Sequence, residues 1–176
     1  MKILAFAGSS SSQSINKKLV QFTCTLFNTK NIDFIDLNDF EMPVFSEDKE
    51  KNGIPKQAYS FAQHIDNCNL IVMSLAEHNG AYTAAFKNLF DWTSRIPNRT
   101  VFENKPILLM ATSDGQKGGQ FVLAMAKNRF PFNGGVVLDT FSLPEFSKNF
   151  KEDKGIINEE LLLSLKSKVK KIEQEL

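Results

Sequence analysis

Apolar and polar positions follow two rhythms along this chain. Short apolar runs at residues 2–7, 32–36, 70–74, 106–111 and 136–140 have the length of strands. Between them, apolar residues recur at helical spacing over 14–28, 55–67, 81–95 and 119–129. A last helix is predicted over 158–176, with Leu162, Leu165, Val169, Ile172 and Leu176 on one stripe. Asn158 is its N-cap, and Glu159 and Glu160 suit the positive helix end. Strands that each lead into a helix predict a parallel sheet with helices on both faces. The runs Ile71-Val72-Met73 and Ile107-Leu108-Leu109-Met110 are continuous, as in strands buried on both sides. The polar stretches 38–54 and 142–155 read as surface loops, and the charges Glu47-Asp48-Lys49-Glu50-Lys51 as a solvated face.

Composition narrows the function. At 176 residues the chain is expected to form one domain, 1–176. The net charge of +1 carries no basic footprint for nucleic acid, nor the strong acidity of a solvating chain. Cys24 and Cys68 lie far apart and form no metal-ligand pattern. They read as free thiols in a reducing compartment. The apolar start is too short for a signal peptide, and no stretch is long enough to span a membrane. A cytoplasmic protein without membrane contact is expected.

The chemistry points to one edge of the sheet. Residues 8–16 (Gly8-Ser9-Ser10-Ser11-Ser12-Gln13-Ser14-Ile15-Asn16) carry the chain from the first strand into the first helix. A helix start presents N–H groups without partners and the positive end of its dipole, which suits a phosphate. One serine would suffice as an N-cap, and an ordinary capped turn is the alternative reading. Ligands of open α/β sheets bind at the carboxyl ends of the strands. There the third strand leads into Leu75-Ala76-Glu77-His78-Asn79-Gly80-Ala81-Tyr82, where Asn79-Gly80 allows a turn through positive φ. The fourth leads into Thr112-Ser113-Asp114-Gly115-Gln116-Lys117-Gly118-Gly119, whose glycine pair leaves room for a flat ring or another subunit. Any one of these is an ordinary βα turn; three on one edge favour a ligand.

The motif Gly8-Ser9-x-x-x-x-Ser14-x-Asn16, followed by Glu77-x-Asn79-Gly80-x-Tyr82-x-x-x-x-Lys87-Asn88-x-x-Asp91-Trp92, resembles the NADPH-dependent FMN reductase family. The family includes FMN, quinone, azo-dye and chromate reductases. The resemblance extends to residues 39–45 and to Gly118-Gly119. It implies a flavodoxin-like three-layer sandwich, with a five-stranded parallel sheet in the order 2-1-3-4-5. It also implies non-covalent FMN, NAD(P)H as cosubstrate and a small-molecule electron acceptor, in a homodimer or homotetramer. By resemblance, Ser9, Ser11, Ser14, Ile15 and Asn16 surround the flavin phosphate. Ala76, Glu77, His78, Asn79 and Gly80 line the isoalloxazine edge, largely through backbone. Ser113 and the turn at Gly118 form the other wall. Lys87, Asn88, Asp91 and Trp92 are taken as structural or as part of a subunit contact.

Three positions depart from the family pattern. Ser11 stands where an arginine is usual, so a charge-assisted phosphate contact is missing and weaker FMN binding is expected. Ala76 replaces a proline and His78 a tyrosine, which loosens the loop and changes the aromatic contact near the flavin. His78 reads either as a group near the flavin or as a solvent-facing side chain, and His64 as an ordinary helix histidine. Phe86, Phe90, Trp92 and Phe102 could form a substrate lid, but the helical spacing of Phe86, Leu89, Phe90 and Trp92 favours core or dimer packing. No acid–base pair is needed, because the flavin carries the hydride chemistry. Two competing readings share the fold: a flavodoxin-type electron carrier, disfavoured by the near-neutral charge, and a flavin-free binding module.

Overall fold

The computed structural model describes residues 1–176. Its strands are β1 (Ile3–Gly8), β2 (Ile32–Phe34), β3 (Leu70–Leu75), β4 (Glu77–His78), β5 (Ala81–Tyr82), β6 (Lys105–Thr112), β7 (Gly135–Leu143), β8 (Phe150–Lys151) and β9 (Gly155–Ile156). Its helices are α1 (Ile15–Thr25), α2 (Glu47–Glu50), α3 (Lys56–Asp66), α4 (Ala84–Thr93), α5 (Gln120–Arg129), α6 (Phe146–Asn149) and α7 (Glu159–Glu175). Five strands form one parallel sheet in the order β2-β1-β3-β6-β7, the expected doubly wound arrangement.

Side-chain alternation explains the continuous apolar runs. Leu4, Phe6, Ile71, Met73, Ile107 and Leu109 pack with Phe61, Phe86, Phe90, Val122 and Phe130 from the α3, α4 and α5 side. Ile3, Ala5, Leu70, Val72, Leu108 and Met110 pack on the other face, against Leu19 and Val20 of α1 and Leu165, Val169 and Ile172 of α7. Both faces of β1, β3 and β6 are therefore dry, and every residue of β1 and β3 is buried. Phe86, Phe90 and Phe102 are buried in this packing, and Trp92 in a smaller cluster with Ala58, Ala62 and Ile96, so they form no lid. Cys24 and Cys68 are free and buried, and burial pushes the Cys24 thiol up to about 12.

Several boundaries differ from the sequence expectation. Helix α4 begins at Ala84 rather than at residue 81, because Ala81 and Tyr82 pair with Glu77 and His78 in an antiparallel hairpin. Asn79 (φ 52°) and Gly80 (φ 77°) make its turn. Residues 38–54 hold a 3₁₀ turn, Leu37–Phe40, and the short α2. Residues 142–155 hold the end of β7, α6 and the start of the β8–β9 hairpin.

The motif residues on α4 are structural ties. Asn88 accepts from Phe45 N–H (2.8 Å) and donates to the Met42 and Pro43 carbonyls (3.1 and 3.2 Å). Trp92 Nε1 donates to the Pro43 carbonyl at 2.7 Å, so residues 42–45 are bound down onto α4. Lys87 and Asp91 form an i,i+4 pair on its outer surface. His64 is half-buried, with Nδ1 2.7 Å from the Asp33 carboxylate. No helix is long and apolar enough to cross a membrane.

Candidate functional site

Three loops leave the carboxyl edge of the sheet side by side and wall a cleft of about 260 Å³. The β1–α1 loop contributes Ser9, Ser11, Gln13, Ser14, Ile15 and Asn16; the chain after β3 contributes Ala76, Glu77 and His78. The loop after β6 contributes Thr112, Ser113 and Asp114. Nine of the twelve expected residues therefore meet here; Asn79, Gly80 and Gly118 do not line the cleft.

The serine loop is built by its own side chains. Ser9 Oγ accepts from Ser11 N–H (3.2 Å) and Ser11 Oγ from Gln13 N–H (3.2 Å). Ser14, the N-cap of α1, accepts from Lys17 N–H at 3.3 Å. These bonds use the acceptor side of each hydroxyl and leave its proton free to donate. The backbone N–H groups of Ser9, Ile15 and Asn16, all lining residues, have no acceptor within the protein. The cleft thus presents neutral donors at the positive end of α1.

The two acidic lining residues hold the walls together. Glu77 Oε2 accepts from Val122 N–H at 3.0 Å, in the first turn of α5. The N-cap of that helix is Gly119, which has no side chain, so Glu77 caps it from another loop. The hairpin is held at a second point by Thr83 Oγ1, which donates to the Gly8 carbonyl at 2.8 Å. Asp114 Oδ1 accepts from Ser147 N–H (2.9 Å) and Oγ–H (2.7 Å), and these bonds hold its carboxyl below its ordinary pKa. No lysine or arginine lines the cleft. Lys17, next along α1, is paired with Asp36. Burial works to raise the Asp36 carboxyl, but Lys17 and Asn38 outweigh it and hold the pKa below its usual value.

Two expectations for this site are sharpened and one is corrected. The Asn16 side chain is buried and bonded to Ser74 and Thr112, so only its backbone can meet a ligand. The Glu77 carboxylate is committed to α5. Gly118 leaves no room for a ring or a second subunit. A Cβ there would lie 2.7 Å from Pro144 N and 2.8 Å from Pro144 Cα, so the chain itself fills that space. The cleft also contains Gln13, Thr112 and Asp114, which neither spacing nor motif singles out. Their signal is adjacency: each neighbours an expected site residue.

Sheet order and the cleft at its carboxyl edge define the class, a flavodoxin-like α/β protein. The solved flavoenzyme NAD(P)H:(acceptor) oxidoreductase FerB from Paracoccus denitrificans superposes with a TM-score of 0.77 at 22% identity. That match covers 96% of this chain and 93% of FerB. An FMN-dependent NADH-azoreductase from Bacillus anthracis, solved with FMN, superposes at a TM-score of 0.64 and 14% identity, covering 99% of each chain.

The family model for NADPH-dependent FMN reductase matches residues 1–148, and this chain belongs to that family. It is an NAD(P)H-dependent oxidoreductase with FMN as cofactor. An Arabidopsis thaliana NADPH:quinone oxidoreductase is 29% identical over 156 residues, covering 85% of this chain and 74% of the relative. A quinone reductase of Escherichia coli K12 is 28% identical over 109 residues, covering 55% and 57%.

Proposed function

We propose that residues 1–176 form one domain that holds the FMN phosphate in the serine loop and reduces quinone- or flavin-class acceptors. The carrying observation is the set of free N–H groups of Ser9, Ile15 and Asn16 at the start of α1. Neutral donors at a helix N-terminus fit a phosphate. The hydroxyls of Ser9, Ser11 and Ser14 complete that shell. The isoalloxazine edge lies against the backbone of residues 76–80, with Ser113 opposite. A Cβ at Gly80 would meet nothing within 4 Å, so the hairpin tip is open to a ring. When bound, FMN supplies the hydride and electron transfer; the protein positions it and shapes access.

In this reading, Glu77 and Thr83 hold the hairpin, and Asp114 fixes the loop after β6 through Ser147. Exposed His78 borders the cleft and is free to contact an acceptor. The names of the quinone reductase relatives support a quinone-class acceptor. We place the protein in the cytoplasm, consistent with its free buried thiols. A homodimer or homotetramer is in keeping with the exposed Phe121, Met125 and Phe132.

The test begins with FMN titration of the apoprotein. NADH and NADPH oxidation is then followed with a quinone, free FMN and an azo dye, and the mass in solution is measured by light scattering. Saturable FMN binding and multiple turnovers with a quinone or flavin are expected. A protein that binds no FMN, or one that turns over only the azo dye, refutes the proposal.

A further inference from the structure

We infer that Asn16 is a positioning residue for the flavin phosphate: its side chain locks the two walls of the anion site together without touching the ligand. The inference rests on the placement of the phosphate proposed above. Asn16 is 3% exposed, and every polar atom of its side chain meets the protein's own groups. Its Oδ1 accepts from Thr112 N–H (3.0 Å) and from Ser74 Oγ–H (2.7 Å). Its Nδ2 donates to the Thr112 carbonyl at 3.2 Å. Thr112 Oγ1 donates in turn to the Leu143 carbonyl at 2.6 Å. Ser74 and Thr112 are both buried. A satisfied polar chain therefore runs under the cleft from the first turn of α1 through β3 and β6 to the end of β7.

The position explains the residue type. An amide can accept twice at oxygen and donate at nitrogen in one plane. Aspartate would bury a charge and could not donate to the Thr112 carbonyl. Leucine would orphan the Thr112 amide and the Ser74 hydroxyl, at the full desolvation cost of each.

The backbone of Asn16 carries one of the free N–H groups that line the cleft, while Thr112 lines its opposite wall and leads directly into Ser113 and Asp114. The two Asn16–Thr112 bonds are the only hydrogen bonds between the first turn of α1 and that wall. Without them the donors can move apart by a fraction of a hydrogen-bond length. That would weaken contacts to a phosphate most; of the two walls at the flavin ring, the hairpin side stays in place and only the Ser113 side shifts.

Two flavins separate these effects, because riboflavin has the ring and lacks the phosphate. Dissociation constants of apoprotein for FMN and riboflavin are measured by flavin fluorescence quenching. Wild-type protein is expected to prefer FMN. Asn16→Ala should reduce that preference about tenfold, the worth of one charge-assisted hydrogen bond, with riboflavin affinity falling far less than FMN affinity. Ser74→Ala keeps both bonds to Thr112 and so preserves the fold; it should reduce the preference about threefold by freeing one side of the amide.

Thr23→Val is the structural control. Thr23 is buried on the same helix, away from the cleft, and donates to the Leu19 carbonyl at 2.8 Å. It should lower stability and leave the preference unchanged. The positioning role is overturned if Asn16→Ala or Ser74→Ala weakens both flavins alike or changes neither, or if Thr23→Val shifts the preference as much. A wild-type protein that binds riboflavin as tightly as FMN overturns the placement of the phosphate itself, and this inference with it.

Discussion

Ser11→Arg is the most direct probe of where the phosphate lies. Ser11 is exposed in the β1–α1 loop and lines the cleft, and its hydroxyl accepts only the Gln13 N–H. Removing that acceptor leaves an exposed N–H to water, at little cost. The cleft has no basic lining residue, so an arginine there would be its first cation. Hydrogen bonds to charged groups contribute about 1.5–3 kcal/mol. Ordering a long side chain offsets about 1–2 kcal/mol of that, and solvent screens an exposed pair further. A net gain of about 1 kcal/mol remains, or about fivefold in FMN affinity.

The assay is FMN and riboflavin titration of wild-type and Ser11→Arg apoprotein at low and high salt. FMN should bind about fivefold more tightly at low salt, and the gain should shrink as salt screens the new charge. Riboflavin should bind as before. Unchanged or weaker FMN binding, or an equal gain for riboflavin, would refute the placement of the phosphate at this loop.

Substitutions at three further positions address the framework. Gly118→Ala forces a Cβ onto the Pro144 backbone at a φ of +55°, and should lower unfolding free energy by about 2 kcal/mol or more in urea titration. Glu77→Ala removes the cap of α5 and should cost about 1 kcal/mol, whereas Glu77→Gln keeps an acceptor oxygen and should cost less than half of that by the same assay. The depressed Asp36 carboxyl contributes stability that is fully present above its ordinary pKa of 3.8 and lost as pH falls through its lower folded value. Wild-type and Asp36→Asn stabilities should therefore converge as pH falls below 3.8.

Much of the architecture was legible in the sequence because it rests on local pattern. The continuous runs in β3 and β6 announced strands buried on both faces, and the sheet order is the one the family resemblance implies. The hairpin β4–β5 was missed as a strand pair. Its Asn79-Gly80 turn was visible, but two-residue strands have no periodicity to detect. Nine cleft residues were found because all of them follow strand ends on one edge. The roles left unread have a common cause. Asn16, Glu77 and Gly118 each act across a long sequence separation, on Thr112, Val122 and Pro144 respectively. Spacing cannot reveal such partners. Ser74 offered the one available hint, as a hydroxyl inside an apolar strand that had to find a bond.

These long-range ties explain how the site can depart from its family pattern and keep its shape. The ligand-facing chemistry falls to backbone N–H groups and short hydroxyls, whose placement is set from behind by Asn16, Glu77 and Thr83. A substitution that alters only a side chain facing the cleft, such as those at Ser11, Ala76 and His78, changes affinity or access and leaves the donors in place. A substitution at Asn16, Glu77 or Gly118 moves a wall. The hairpin shows the difference directly. Alanine at position 76 gives up the stiffness of proline, yet the loop is held at both ends, by Glu77 on α5 and by Thr83 on the last carbonyl of β1. Loop order here comes from two distant anchors, so the expected loosening at Ala76 should be small beside that of Glu77→Ala.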